Sequence, residues 1–364
     1  MKCIFLDGFK QEYLQHTPYL RNLAQHSLHG NLEVPFGYTS IVASFMTGFH
    51  PEKHGVIDVF EKRKTPAPFI IRNRILANGL RYLSRNLYFY TPLKVHQSKA
   101  RHFKPTLEKI WMQRGCLPLP TLFDYLERAG KSFAAVDWPF VFHNRKSRLF
   151  FKNDSATVIR HARSCAADFN FIHFGDLDHV GHIYGPNSEE VKAKLREIDG
   201  YCQELDEEQM VFFSDHGMDY IQEIFDLEAE LQKLKLKFGK DYTYFLGSTY
   251  ARFWFSTAEA RNIVVHALSC ITEGTIIDQH VFRLPATSHV VFLAKKGVVF
   301  SPSFFTKNMQ YKAMHGWNPK EQKAFYLVKG FSGKQEAHIV DLFPTLLAMM
   351  GLPDVRCDGR NLYS

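Results

Sequence analysis

The chain has 364 residues, of which 45% are hydrophobic and 23% are charged. These fractions are close to globular averages and exclude a disordered or fibrous protein, and the length suffices for one large α/β domain with insertions or for two domains. Lysine and arginine outnumber aspartate and glutamate by 45 to 37, but no helix-turn-helix, zinc-finger or RNP motif accompanies this charge, so no nucleic-acid partner is expected.

The predicted elements alternate short apolar runs with helical periodicity, which is typical of α/β proteins. The first strand covers 2–6, and the first helix, 17–24, begins with a capping threonine and a proline. A short strand at 32–34 precedes a helix at 41–46. The later predicted strands are 133–136, 169–174, 210–214, 250–255, 290–293 and 323–328, and the last helix is 339–350.

Two stretches are predicted as insertions in a single catalytic domain that covers 1–364. Residues 61–115 are basic and mixed in pattern, and within them 69–90 places isoleucines and leucines among arginines. Such a segment is either a lid or membrane-surface helix or an ordinary cap helix with a solvated basic face. Residues 225–305 carry a strand–helix–strand–strand pattern, which predicts a small αβ subdomain.

The cysteines and the start of the chain bear on the location. The six cysteines are scattered and form no CxxC pair, which suits reduced thiols better than a disulfide framework. Met1-Lys2 leads directly into a strand, without an apolar signal segment, and no uncharged apolar stretch of about 18 residues is present. We therefore expect a cytoplasmic protein without a transmembrane segment.

Four places in the chain put aspartates or histidines next to strand ends. They are Asp7, the run from Asp178 to His182, the pair Asp215-His216, and His315. Because the carboxyl ends of parallel strands share one edge of an open sheet, these groups can converge although they are far apart in sequence. Three aspartates and three histidines form a set of oxygen and nitrogen ligands that suits two Zn²⁺ ions.

Each of these places also has an ordinary interpretation. Asp215 could cap a turn, and a lone His315 could be a structural histidine. Asp176-Leu177-Asp178 matches the DxD metal motif of glycosyltransferases, but that interpretation predicts dependence on Mn²⁺ and leaves the histidines without a role.

Seven segments spread over most of the chain point to one family. They are FLDG at 5–8, TPYLRNLA at 17–24, TGFHPEKHG at 47–55, GDLDHVGHIYGP at 175–186, FFSDHGM at 212–218, MHGW at 314–317 and VDLFPTLLAMMGLP at 340–353. Together they resemble the alkaline phosphatase superfamily, specifically its type I phosphodiesterase/nucleotide pyrophosphatase-like branch. The most specific piece is D-x-x-G-H-x-x-G-P, from Asp178 to Pro186. The resemblance implies a three-layer α/β/α sandwich with a mainly parallel central sheet, to which the lid-like insertion and the small subdomain are added.

The resemblance also implies a centre of two zinc ions, for which other divalent metals such as Mn²⁺ could substitute. Matched residue by residue, one zinc would be held by Asp178, His182 and His315, and the other by Asp7, Asp215 and His216 together with the nucleophile oxygen. Asp176, His179 and His54 are not carried over as ligands.

The nucleophile is expected at the start of the helix that follows the second strand. In relatives a serine or threonine lies nine residues before the threonine of a TG dipeptide, and here that count falls on Tyr38. A glycine-tyrosine pair followed by serine or threonine fits the branch, which favours Thr39, with Ser40 as the alternative. Either hydroxyl could instead only cap the helix. A helix N-terminus would stabilise an alkoxide and a phosphate beside either one.

The sequence therefore predicts a metal-dependent phosphoric ester hydrolase that acts through a covalent threonine intermediate on a small phosphorylated, nucleotide-like substrate. The first alternative is a phosphomonoesterase acting on a phosphorylated biosynthetic intermediate, for which arginines of the 61–115 insertion could bind the additional charge. The second is a non-catalytic or membrane-surface phosphate-binding relative, although all six ligands are present. Sulfate ester cleavage is disfavoured because the chain lacks a C/S-x-P-x-R sequence.

Overall fold

The computed structural model of the protein describes residues 1–68, 93–107, 115–137 and 154–363. The chain divides into two compact units. The first comprises Met1–Ile57, Leu107–Tyr220 and Tyr311–Ser364, and the second comprises Asp58–Thr106 and Ile221–Gln310. The amphipathic segment predicted at 69–90 lies outside the described residues.

The strands are numbered in chain order. They are β1 (Lys2–Leu6), β2 (Ser27–Glu33), β3 (Phe60–Lys62), β4 (Phe103–Pro105), β5 (Phe133–Val136), β6 (Phe169–Phe174), β7 (Met210–Phe213), β8 (Asp219–Tyr220), β9 (Glu223–Phe225), β10 (Tyr242–Leu246), β11 (Tyr250–Phe255), β12 (Gly274–Ile277), β13 (Val290–Ala294), β14 (Val298–Phe300), β15 (Ala313–Met314), β16 (Ala324–Lys329), β17 (Gly333–Lys334) and β18 (Ala337–His338).

The helices are numbered in the same way. They are α1 (Pro18–Gln25), α2 (Tyr38–Thr47), α3 (Pro51–His54), α4 (Gln97–Ala100), α5 (Leu122–Arg128), α6 (Ser155–Ala162), α7 (Asp176–Tyr184), α8 (Glu189–Glu204), α9 (Leu227–Gln232), α10 (Ala258–Ser269) and α11 (Leu342–Met349), with 3₁₀ turns at Gln11–His16 and Ile339–Asp341. None of the described helices is long and apolar enough to cross a membrane.

The first unit is built on a central sheet with the strand order β17-β2-β16-β7-β1-β6-β5, in which β18 also pairs with β2. Strand β1 is parallel to both β6 and β7, and β5 is parallel to β6. Strand β16 is antiparallel to its neighbours β2 and β7, so β2 runs in the same direction as β1. The mainly parallel sheet predicted from the sequence is therefore confirmed.

Both faces of this sheet are covered. Cys3 and Phe5 of β1 pack in one apolar cluster with α2, α5 and α11, whereas Ile4 and Leu6 pack in another with α1, α6 and α8. Successive side chains of a strand point to opposite faces, so a strand buried on both sides is apolar throughout. The result is the predicted three-layer α/β/α sandwich.

The second unit contains an antiparallel sheet with the order β10-β11-β13-β12. Its fully buried Arg252 donates a hydrogen bond to the carbonyl oxygen of Phe60 and lies 3.5 Å from Oδ2 of Asp58. The guanidinium also lies over the rings of Phe245 and Trp254. The stretches 61–115 and 225–305, predicted as two insertions, contribute most of their residues to this one unit. They are joined by contacts such as the hydrogen bond from Nζ of Lys99 to the hydroxyl of Tyr244 at 2.7 Å.

Two elements begin three or more residues earlier in the structure than predicted. The strand expected at 32–34 is the end of the longer β2, because the polar Ser27 and Asn31 conceal a strand that pairs on both sides. The helix expected at 41–46 begins three residues earlier, at Tyr38. All six cysteines lie in the described residues and none forms a disulfide; the cytoplasmic location stays a prediction.

His54 ends α3 and is buried as a neutral ring. Its Nδ1 accepts a hydrogen bond from the backbone N–H of Val56 at 3.1 Å, so the proton is on Nε2, which lies 3.0 Å from Oγ of Ser44. Burial, with a smaller effect of His50, lowers the pKa of His54 to about 3, against the opposing charge of Asp358.

We expect the stability of the wild-type protein to fall more steeply with acidity than that of the His54→Gln variant. The unfolded chain protonates this histidine below about pH 6.5, whereas the folded chain resists protonation down to about pH 3. The stability contribution is therefore complete above the unfolded pKa and is lost as the pH falls below it. Between about pH 7 and about pH 4.5, the free energy of unfolding in urea should fall by about 2–3 kcal/mol more in the wild type than in the variant. Equal losses of stability in the wild type and the variant would contradict the assignment of His54 as a buried, neutral histidine.

Candidate metal centre

The predicted site residues lie at one edge of the central sheet, where β1, β6 and β7 end. Asp7 follows β1 directly, Asp178 lies in α7 after β6, and Asp215 and His216 follow β7. His315 precedes β16, which runs in the opposite direction and therefore begins at this same edge.

His216 and Asp178 connect the cluster. Nε2 of His216 lies 3.5 Å from Oδ1 of Asp7 and 3.2 Å from Oδ2 of Asp215, and it lies 3.9 Å from Oδ1 of Asp178. The same Asp178 oxygen lies 3.6 Å from Nε2 of His315. Two groups have ligand atoms within 4.8 Å of one another: Asp7, Asp215 and His216, and Asp178, His216 and His315.

His182 completes the set of six residues predicted from the sequence. Because it lies four residues after Asp178 on α7, both side chains share one helix face, and its Nε2 lies 3.4 Å from Oδ2 of Asp178. The structure thus brings the six predicted ligands together. The role of each as a ligand stays a prediction.

Two glycines allow close packing around α7, which carries Asp178. Gly8 has a φ of +74°, and a Cβ there would lie 3.3 Å from Cα of Asp178. Gly185 ends α7 with a φ of +92°, and a Cβ there would lie 2.3 Å from the ring of Tyr220. Larger residues at these positions would be strained and would displace their neighbours.

Backbone contacts fix the histidine tautomers. Nδ1 of His182 lies 2.8 Å from the carbonyl oxygen of Ala313, and Nδ1 of His216 lies 3.0 Å from that of Gly217. A carbonyl oxygen only accepts, so in each ring Nδ1 donates its proton and Nε2 can present its lone pair to the cluster, as a metal-ligating histidine must. The rings of His216 and His315 stack with centroids 3.5 Å apart.

Four buried oxygens at this edge have no hydrogen-bond partner among the described residues. They are Oδ1 of Asp7, Oδ1 of Asp178, Oδ2 of Asp215 and Oγ1 of Thr39. A buried polar atom without a partner costs about 1–3 kcal/mol. Three unsatisfied carboxylate oxygens beside histidine nitrogens are the donor set of a divalent cation such as Zn²⁺, so the residues present fit a metal.

The electrostatics of the cluster are dominated by crowded carboxylates. Burial raises the pKa of Asp7 well above its usual value, and the charges of Asp215 and Asp178 raise it further. Burial also opposes ionisation of Asp178, but the contact with His182 and the charge of His315 hold its pKa below the usual value. Burial would lower the pKa of His216, yet Asp215 raises it to about 9. A bound cation would relieve this repulsion between carboxylates.

Thr39 and Ser40 lie in the first turn of α2 and differ in their partners. Since β2 runs parallel to β1, α2 begins at the same sheet edge. Oγ of Ser40 contacts the carbonyl oxygens of Phe36 and, at 2.6 Å, Gly37, so its proton is directed to the backbone. The Thr39 hydroxyl has no such partner. The residue in the cap position is Gly37, with no side-chain cap, so the interpretation of either hydroxyl as a helix cap is wrong.

Three residues left out of the ligand set lie elsewhere. Asp176 accepts hydrogen bonds from the backbone N–H of Ser155 at 3.1 Å and from Nζ of Lys194 at 3.0 Å. His179 is exposed, and His54 supports the turn after α3. None of these three takes part in the cluster.

His173 of β6 also lies at the cluster, although no site role was predicted for it. Its Nε2 lies 3.2 Å from Oδ2 of Asp7. The signal in the sequence was a histidine within the otherwise apolar run FIHF at 171–174. Such a residue needs a polar partner when it is buried.

Comparisons with known proteins show which family the chain resembles. The model of the family described as type I phosphodiesterase/nucleotide pyrophosphatase matches residues 3–317. Ectonucleotide pyrophosphatase/phosphodiesterase family member 7 of Rattus norvegicus is 22% identical over 247 residues, which cover 59% of this chain and 49% of that protein. The Homo sapiens protein of the same name is 23% identical over 247 residues, covering 59% and 47%. The chain therefore spans about half the length of these curated relatives.

Solved structures of ectonucleotide pyrophosphatase/phosphodiesterase 5 share the fold. The human structure has a TM-score of 0.68 and 18% identity, covering 99% of this chain and 96% of that one. A murine structure has a TM-score of 0.66 and 17% identity, covering 99% and 97%. Another murine structure, of an inactive threonine-to-alanine variant in complex with AMP, has a TM-score of 0.66 and 17% identity, covering 99% and 96%.

Proposed function

The chain belongs to the type I phosphodiesterase/nucleotide pyrophosphatase family, and on that basis we propose that it is a metal-dependent hydrolase of phosphoric diesters. The observation that carries this proposal is a set of buried oxygens at one sheet edge, those of Asp7, Asp178, Asp215 and Thr39, which have no hydrogen-bond partner in the described part of the chain. A phosphate-binding protein without catalysis would not need an unpaired hydroxyl beside a complete set of ligands.

Two metal ions would be held by the residues predicted from the sequence. Asp7, Asp215 and His216 would hold one ion, and Asp178, His182 and His315 the other. The mixed oxygen and nitrogen donors favour zinc, with Mn²⁺ as an alternative. When bound, such ions neutralise phosphate charge and lower the pKa of a nearby hydroxyl.

Thr39 would act as the nucleophile. Its Oγ1 gives up its proton to water and forms a bond to phosphorus. The bond from phosphorus to the leaving oxygen breaks, and that oxygen departs with the electron pair. Water then cleaves the phosphothreonine ester and restores the hydroxyl. The first N–H groups of α2 have no acceptor within the helix, so they would donate hydrogen bonds to the phosphate oxygens.

The charges around the cluster support a diester as the substrate. The carboxylates of Asp7, Asp178 and Asp215 form ion pairs only with histidines among the described residues. A monoester carries one more negative charge, for which an arginine clamp or a further cation would be expected. The AMP bound in the murine relative supports a nucleotide-like substrate.

We expect the zinc-loaded protein to hydrolyse bis-p-nitrophenyl phosphate at least about tenfold faster than p-nitrophenyl phosphate, because the described residues include no arginine paired with the carboxylates of the cluster that could clamp the second charge. Release of p-nitrophenolate under identical conditions measures both rates. A preference for the monoester would favour the phosphomonoesterase alternative. Two bound zinc ions without turnover of either compound would favour the non-catalytic one.

A further inference from the structure

His173 lies between the metal centre and the backbone of the neighbouring strand. It belongs to the fully buried strand β6, and its Nε2 lies 3.2 Å from Oδ2 of Asp7. Its Nδ1 lies 3.0 Å from the carbonyl oxygen of Asp137, the residue that follows β5. The ring therefore connects Asp7, a predicted metal ligand, to the backbone at the end of β5.

We propose that His173 is a positioning residue that holds Oδ2 of Asp7, so that Oδ1 of the same carboxylate faces the metal centre. This inference rests on the proposed function. The two oxygens of Asp7 are in different surroundings: Oδ2 contacts His173, whereas Oδ1 has no hydrogen-bond partner in the described part of the chain and lies 3.5 Å from Nε2 of His216. With Oδ2 held, the carboxylate cannot rotate to exchange its two oxygens.

The ring of His173 is itself held from two sides. It stacks on Phe5, its register partner in β1, with centroids 4.6 Å apart and an angle of 16° between the planes. The carbonyl oxygen of Asp137 can only accept, so Nδ1 carries a proton. A second proton, shared between Nε2 and Oδ2 of Asp7, makes the contact with Asp7 a hydrogen bond. Asp137 has a φ of +58°, a left-handed conformation that is uncommon for a residue other than glycine. Strained backbone of this kind often accompanies functional sites.

The alternative is that His173 only fills the core, and two substitutions separate these roles. The side-chain amide nitrogen of glutamine can take the place of Nε2 and keep the contact with Asp7. That of asparagine can take the place of Nδ1 and keep only the contact with Asp137. Both variants lose the ring and its stacking on Phe5. If His173 only fills the core, the two variants should therefore have the same zinc affinity.

The experiment compares zinc affinity and diester turnover in the full-length wild type, His173→Asn and His173→Gln. Competition with a chromophoric chelator gives the zinc dissociation constants, and bis-p-nitrophenyl phosphate gives kcat and KM. We expect His173→Asn to weaken zinc binding about 10- to 100-fold, as loss of a residue that orients a ligand does, with a matching fall in kcat. His173→Gln should recover most of both.

His54→Gln is the matched control, because His54 is also a buried histidine but contacts no residue of the cluster. It should keep the zinc affinity of the wild type while losing about as much thermal stability as the His173 variants. Equal zinc affinities in the asparagine and glutamine variants would overturn the positioning role. If the wild type binds zinc but hydrolyses no diester, the proposed function fails, and the ratio of the two affinities still decides the role of His173. A wild type that binds no zinc would overturn both.

Discussion

Replacing Thr39 by alanine is expected to lower the rate of diester hydrolysis by about 10⁴-fold or more, as the loss of a nucleophile does in other hydrolases that form covalent intermediates. The Thr39 hydroxyl is buried and has no hydrogen-bond partner in the described residues, so its removal breaks no structural contact. The variant should therefore keep its fold, its thermal midpoint and its zinc content. Steady-state rates with bis-p-nitrophenyl phosphate and metal analysis measure these quantities.

Ser40→Ala is the control for this prediction. The Ser40 hydroxyl contacts the carbonyl oxygens of Phe36 and Gly37, and its loss should cost about 1 kcal/mol of stability while the rate stays within about threefold. The opposite pattern, in which Ser40→Ala is inactive and Thr39→Ala is active, would make Ser40 the nucleophile. Full activity in both variants would exclude a nucleophile at the start of α2.

Replacing Asp178 by asparagine is expected to weaken zinc binding by more than about 100-fold and to abolish activity at low zinc concentration. The reason is that Asp178 contacts histidines on both of its oxygens, and an amide supplies neither its charge nor two acceptor oxygens. Zinc stabilises the folded state by a free energy that rises with the logarithm of its affinity. The rise of the wild-type thermal midpoint on adding zinc, several degrees at about 100 times the dissociation constant, should therefore be smaller in the variant.

Asp176→Asn separates this effect from a general loss of charge on α7. Asp176 is also a buried aspartate of this helix, but its carboxylate accepts hydrogen bonds from Ser155 and Lys194 rather than facing the cluster. This variant should be less stable than the wild type and should still bind zinc with the affinity of the wild type. A similar loss of zinc affinity in both variants would show that Asp178 acts only by stabilising the helix.

The sequence predicts the edge of the sheet at which the site lies, because the carboxyl ends of parallel strands meet there. Asp7 and Asp215 are placed by this rule alone, and His182 follows from its helical spacing to Asp178. His315 is grouped with them as a histidine near a predicted strand, but the rule for parallel strands does not place it, since it precedes the antiparallel strand β16.

Other features depend on contacts that a sequence does not reveal. The difference between Thr39 and Ser40 depends on the backbone carbonyls of Phe36 and Gly37, whose positions are set by the chain entering α2. The run FIHF indicates only that His173 needs a polar partner when buried, and that this partner is Asp7 is seen only in the structure. The union of 58–106 with 221–310 depends on long-range contacts, such as that of Arg252 with Phe60.

The dependence of hydrolysis on the metal centre is tested most directly by titrating metal-free protein with zinc and measuring the initial rate of bis-p-nitrophenyl phosphate hydrolysis. We predict no activity without metal and a rate that rises until about two equivalents per chain are bound, the number that a two-metal phosphoryl-transfer site requires. Thr39→Ala should bind the same two equivalents and stay inactive throughout. Activity in the metal-free protein, or a rate that does not depend on zinc, would show that hydrolysis does not need the metal centre.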